Sequence, residues 1–161
     1  MTTLPSSLQI SYQTIRSIAI ECHAHDLSAY SLFVSGAYGV SKSTKIAYAE
    51  LLSSKLLMLA ISLRAKFYQG VSNNNTVDYV SECGILDYNS NGGMVEKPLS
   101  IKDVCDKLIH ADEIKLNYTD VKNGLITILK GKERGCAWTL HISMSLFAES
   151  ILKWLDELSD D

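Results

Sequence analysis

Cys105-Asp106-Lys107-Leu108-Ile109-His110-Ala111 holds the two residues best suited to proton transfer, Asp106 and His110. At i,i+4 they stack on one face of a helix, where a carboxylate can orient an imidazole and hold it near a useful pKa. That geometry suits general acid–base work by His110. It equally suits a structural Asp–His pair, or a histidine favoured at a helix C-terminus by the dipole.

A second group, Glu21-Cys22-His23-Ala24-His25-Asp26, gathers metal-binding residue types, and Cys22 and Asp26 share a helix face. His23 and His25, however, point about 200° apart on a 3.6-residue period, so they cannot both enter one tetrahedral site. Neither a metal site nor a cofactor is therefore expected. Cys22 reads as a small core residue and His25 as a partner for Glu21. Gly36-Ala37-Tyr38-Gly39-Val40-Ser41-Lys42-Ser43 has the outline of a phosphate-binding loop, but Ser41 stands where a glycine must precede the lysine, and no strand leads into it. It reads as a turn between helices.

Charge is more informative by position than in sum. Between Lys42 and Lys66 the chain carries Lys42, Lys45, Lys55, Arg64 and Lys66 against Glu50 alone, while Asp156, Glu157, Asp160 and Asp161 crowd the C-terminus. By helical phase Lys55 and Lys66 share the polar side, and Arg64 falls beside Leu57 and Ala60 on an apolar one. An arginine there is costly unless paired. Two outcomes are open: it snorkels to water at the helix end, or it faces a polar pocket.

The elements that must position these residues predict an α+β fold. Ile15, Ile18, Cys22, Ala29, Leu32 and Phe33 recur at helical spacing and predict a long helix from Leu8 to about Val34, with Glu21 and Asp26 among its polar positions. After Gly36 to Gly39 a second helix runs from about Ser41 to Gln69, apolar on nearly every side and stopped by Gly70. The two form a long helical hairpin, with the second helix expected to be the most buried element. Thr76 to Tyr88, between Ser72-Asn73-Asn74-Asn75 and Asn89-Ser90-Asn91-Gly92-Gly93, fits no single pattern. Ser100 and Asp103 form a capping-box signal that opens a short helix from Ile101 to about Ala111, with His110 in its last turn. Ile114 to Tyr118, Leu125 to Leu129 and Trp138 to Ile142 predict a three-stranded antiparallel meander, turning at Asn123-Gly124 and at Gly131-Lys132-Glu133-Arg134-Gly135. Met144, Phe147, Ala148, Ile151, Leu152 and Leu155 close the chain as an amphipathic C-terminal helix over that meander.

No repeat or linker divides the chain, so a single domain is expected over residues 1–161. With 47% hydrophobic and 20% charged residues and 2 Pro, it has the apolar content for one core and lacks the composition of a disordered or fibrous protein. A net charge of −3 excludes coating of nucleic acid by bulk charge, so any phosphate must be met locally. Met1 to Ser7 lacks the basic and apolar regions of a secretory signal. Leu51 to Leu63, broken by Ser53, Ser54, Lys55 and Ser62, falls short of the ~20 apolar residues that span a bilayer, so no membrane partner is expected. Cys22, Cys83, Cys105 and Cys136 make no Cys-x-x-Cys pair, which fits reduced thiols and a cytoplasmic protein. The second helix, with few elements to cover it, predicts a homodimer packed through the long helices.

Asp106 and His110 resemble the motif of the HEPN superfamily, helical domains of bacterial toxins, defence proteins and RNA-processing factors. In that motif an Arg, usually followed by Asn, Asp or His, precedes a His about one helical turn on. Cys105 stands at the motif's Arg position, and Arg64 of the neighbouring helix is the residue that could replace it in space. The segment is also similar to one in uncharacterised bacterial proteins, where long helices precede a Cys-Asn-Lys-Ile-Ile-His-Ala-like motif, strands and a closing helix. The resemblance implies a HEPN-like domain, often dimeric, that binds RNA or cleaves it without metal, in a toxin–antitoxin or phage-defence setting. On that basis His110 is the general acid or base, Asp106 orients it, and Arg64 holds the phosphate. The rival expectation is a non-enzymatic scaffold in which His110 is structural and the meander's edge strand recruits a protein partner.

Overall fold

The computed structural model describes residues 9–35, 39–72, 76–90, 93–117 and 126–159. Helix α1 (Tyr12–Tyr30) starts where the Ser11 hydroxyl accepts from the Thr14 amide, and it runs into a π-helical turn at Ser31–Ser35. Ile15, Ile18, Cys22 and Ala29 are buried as their spacing predicts, but so is Asp26, which the pattern placed among the polar positions. Helix α2 (Lys42–Tyr68) is capped by Ser41. It ends in a Schellman arrangement: Gly70, at φ 97°, donates to the Phe67 carbonyl, and Val71 donates to that of Lys66. Of the turn between these helices, Gly36 to Tyr38 lie outside the described residues, as do Met1 to Leu8, the Asn123-Gly124 turn and the final Asp160 and Asp161.

Helix α2 is not buried all round. Leu52, Leu56, Leu59 and Leu63 face the core, while Ile46, Leu51, Leu57, Met58 and Ile61 on the other side are 42% to 51% exposed. By length and composition it is apolar enough to cross a bilayer; 39% of that apolar window is buried in the fold. Lys66 does not share a solvated side with Lys55: it is buried, with its ammonium 4.6 Å from the centre of the Tyr12 ring. Lys55 pairs with Glu21, so His25 is not the partner of Glu21 and packs edge-on against Tyr48 instead.

The segment without a clear pattern forms α3 (Val77–Val80) and most of β1 (Gly84–Ser90); β1 runs on through Asn89 and Ser90, and β2 (Gly93–Lys97) starts at Gly93, all three expected in the turn. Helix α4 (Ile101–Ile109) opens with the expected capping box, the Ser100 amide donating to the Asp103 carboxylate at 2.9 Å and the Asp103 amide to the Ser100 hydroxyl at 3.1 Å. Strands β3 (Glu113–Asn117), β4 (Ile126–Glu133) and β5 (Cys136–Ile142) make the expected meander, and α5 (Met144–Ser159) closes the fold. The sheet nevertheless has five strands rather than three. Strand β1 pairs with β5 and β2 with β1, giving the order β2-β1-β5-β4-β3 with every pairing antiparallel. The turn expected over Gly131 to Gly135 contracts to Arg134 and Gly135, both at positive φ as a two-residue hairpin turn requires.

One face of the sheet is core. Leu86, Leu140, Leu129 and Ile114 stand in register across β1, β5, β4 and β3. Phe147, Ala148, Ile151 and Leu155 of α5 join the same core, each large side chain contributing roughly 1.5–3 kcal/mol of burial. The N-terminus of α5 is held by α1, because Asp26 accepts from the Ser145 amide at 3.0 Å.

Candidate functional site

The last turns of α2 and α4 and the β4–β5 hairpin enclose a cleft of about 610 Å3. Gly131 makes this convergence possible. It lies opposite Trp138, and a β-carbon on it would stand 2.3 Å from the Trp138 ring and 2.9 Å from the His110 carbonyl oxygen. A residue without a side chain is what lets the end of α4 settle on β4 under that ring.

Arg64 enters the cleft from α2, four-fifths buried, with 18% of its side chain exposed. Its Nε lies 2.8 Å from Asp106 Oδ1 in an ion pair, and its terminal nitrogen donates to the Tyr68 hydroxyl at 2.9 Å. The guanidinium also lies 4.9 Å from the centre of the Tyr68 ring. Of the two outcomes open for Arg64, the polar pocket is the one that occurs. Asp106 takes a second cation on its other oxygen, Lys102 Nζ at 3.2 Å.

His110 lines the same cleft with an exposed side chain, but its ring makes no hydrogen bond to Asp106. The two residues are linked only through the backbone, the His110 amide donating to the Asp106 carbonyl at 3.1 Å. The expected orientation of the imidazole by Asp106 therefore does not occur in this arrangement, for two physical reasons. Helix α4 ends at Ile109, so His110 is its C-cap, at φ −107° and ψ 13°, and leaves the helical phase that i,i+4 stacking assumes. Arg64 and Lys102 meanwhile occupy the two oxygens of the carboxylate, at 2.8 and 3.2 Å. The sequence residues Arg64, Asp106 and His110 are brought together, with the carboxylate serving the arginine.

The hairpin adds residues that motif reading missed. Lys107, 7% exposed, donates to Glu133 Oε2 at 2.5 Å and sits 4.8 Å from the ring centres of both Tyr88 and Trp138. Burial works against its charge, but the bonds to Glu133 and Tyr88 outweigh that and raise its pKa. Glu133 is held below the usual carboxylate range, first by the Lys107 bond and then by the Tyr88 hydroxyl, which donates to it at 3.0 Å. Lys132 and Arg134 also line the cleft, and among the described residues neither forms an ion pair. Their signal was present in the basic residues of the Gly131 to Gly135 segment, which was legible only as turn chemistry. After Arg64 has met Asp106 and Lys107 has met Glu133, the lining is left with Lys132 and Arg134 against Asp112. The cleft therefore favours an anion.

Cys105, at the motif's Arg position, is fully buried and faces the core rather than the cleft, and burial pushes its thiol up. Cys22 is pushed up to about 12, first by burial and then by Glu21, so it too is a packing residue. The Glu21 to Asp26 group disperses: Glu21 goes to Lys55, His23 to Glu149 at 2.8 Å, and Asp26 to α5. Among the described residues no group of three His, Cys, Asp or Glu side chains is placed to hold a metal. Compared with protein-family models, curated proteins and solved structures, the chain matches none.

Proposed function

We propose that the protein is a HEPN-like RNA-binding domain that takes a phosphodiester into this cleft and cleaves it without metal, His110 being the proton-transfer group. The observation that carries the reading is the convergence of Arg64 and His110, from different helices, on one cleft that also holds Lys132 and Arg134. In the reaction the neutral imidazole removes the 2′-hydroxyl proton, O2′ attacks phosphorus, and the P–O5′ bond breaks, with O5′ protonated by water. Arg64 offsets the charge that gathers on the non-bridging oxygens, and Asp106 is the positioning residue that holds the guanidinium in place. The outer apolar face of α2 packs a second copy, making a homodimer of the cytoplasmic protein.

The test is cleavage of labelled single-stranded RNA in chelator by wild type, His110→Ala and Arg64→Ala, beside their melting curves. His110→Ala should lose roughly 10²–10⁴-fold of cleavage and keep binding, while Arg64→Ala should lose both. A folded wild type that neither cleaves nor binds the RNA refutes the reading. The scaffold alternative has the edge strands β2 and β3 in its favour. It predicts binding of a protein by a wild type inert toward RNA.

A further inference from the structure

Away from the cleft, and independently of the RNA reading, we propose that the groove between β3 and the first half of α2 is a docking site for an extended acidic segment of another protein, which joins the sheet as a strand beside β3. Strand β3 is an edge of the sheet, and from Glu113 to Leu116 its backbone bonds, among the described residues, only to β4. An edge strand left in that state is a template for another strand. The groove beside it measures about 310 Å3. On the inner face of the sheet Ile114 and Leu116 are only half-buried, and among the described residues no strand lies beyond them. Helix α2 runs on past this edge: Ile46 is 50% exposed above the gap, while Leu52, deeper in, is buried. A strand laid about 4.8 Å from β3 and about 10 Å below the helix would cover Ile46, Ile114 and Leu116 together.

Charge selects the occupant. Lys42 and Lys45 line the groove and form no ion pair among the described residues; Lys115, on its lip, is bonded to Glu113 at 2.7 Å. Among the described residues no carboxylate lines the groove, and the first turn of α2 contains no acid to offset the lysines. The partner that fits alternates aliphatic residues, which meet Ile46 and Leu116, with Asp or Glu, which meet Lys42 and Lys45. A second copy docking its own β3 here would offer one acid, Glu113, already bonded to Lys115, so it lacks the surplus of acid that Lys42 and Lys45 select.

The experiment selects random peptides displayed on phage against the full chain, then measures the synthesised peptides by fluorescence anisotropy and amide chemical-shift mapping. Enriched sequences should alternate aliphatic and acidic residues and shift the amides of β3 and the first turns of α2. Lys42→Glu with Lys45→Glu should weaken them by about tenfold or more. These substitutions lie on an exposed helix start where glutamate suits the dipole, so the variant should fold at least as stably as wild type. Methylating alternate peptide nitrogens should abolish binding, since it removes the donors of a strand. Failure to enrich such sequences, shifts confined to β2, or undiminished binding by the charge-reversed protein or the methylated peptide overturns the proposal. So does a dimer in sedimentation that the charge reversal dissolves, because the occupant would then be a second copy.

Discussion

Whether Asp106 serves Arg64 or His110 can be measured as a coupling energy. Two double-mutant cycles are needed, Arg64→Ala with Asp106→Ala, and His110→Ala with Asp106→Ala, each followed by urea unfolding on the buried Trp138 and Trp154. The first pair has a 2.8 Å contact with side chains 18% and 32% exposed, so it lies between an exposed ion pair, at 0.2–1 kcal/mol, and a buried charge-assisted bond, at about 1.5–3 kcal/mol. Lys102 remains on the carboxylate in the Arg64 variant and lowers the term further. The expected Arg64–Asp106 coupling is about 1–1.5 kcal/mol. Asp106→Ala alone should cost about 2 kcal/mol, because it also strands Arg64 in a partly desolvated site, and should lower Tm by about 4–8 °C. The His110–Asp106 cycle should return less than about 0.5 kcal/mol, since the ring does not touch the carboxylate. A His110 coupling above 1 kcal/mol, or an Arg64 coupling indistinguishable from zero, would refute the assignment.

Three further outcomes are expected. Gly131→Ala should destabilise the fold by about 2 kcal/mol or more in denaturant unfolding, since its β-carbon meets a ring and a backbone carbonyl and not a flexible side-chain end, and a loss below about 0.5 kcal/mol would contradict the packing of α4 on β4. Asp26 has one carboxylate oxygen buried without a partner among the described residues, and burial raises its pKa against the pull of the Ser145 bond; a carboxyl so raised costs stability above its folded pKa, and that cost fades as pH falls toward the unfolded value near about 4. Asp26→Asn, which keeps an acceptor for Ser145, should therefore match or exceed wild type in stability at neutral pH and lose that advantage in acid, whereas a pH-independent loss in unfolding curves would count against it. For assembly, Leu57→Glu with Ile61→Glu on the exposed side of α2 should turn a dimer into a folded monomer in sedimentation, with a Tm that no longer depends on concentration; a wild type already monomeric at tens of micromolar rejects the dimer.

The helices were legible because their signals are local. The Ser100 and Asp103 capping box, Gly70 after the last turn of α2 and the apolar spacing of α1 and α5 each lie within a turn or two of chain. Strands β1 and β2 were not, and the reason is in their residues. Ile85 is 49% exposed on the outer face while Leu86 is buried on the inner one, so β1 carries apolar side chains on both sides and shows no alternation. Every residue of β2 is exposed, so it has no burial pattern to read at all, and it exists as a strand through its pairing with β1. Gly131 was misleading in a related way: a glycine followed by charged residues looks like a turn until the register places Trp138 across from it.

The site was half legible for the same kind of reason. Arg64 stood out because a guanidinium on an apolar helix face demands a partner, and that demand can be read without knowing where the partner lies. The Asp106–His110 pair looked self-sufficient because i,i+4 spacing presumes that the helix continues. Helix α4 stops at Ile109, two residues short of the expected end, which leaves His110 outside the last turn, while α2 supplies another claimant for the carboxylate. These two facts are coupled: an α4 that continued past His110 would carry its backbone away from Gly131, and the His110 carbonyl could no longer lie against β4 under the Trp138 ring. The close approach at Gly131 therefore fixes the end of the helix, the end of the helix turns His110 toward the open cleft, and Asp106 is left to hold the arginine that the apolar face of α2 would not otherwise tolerate.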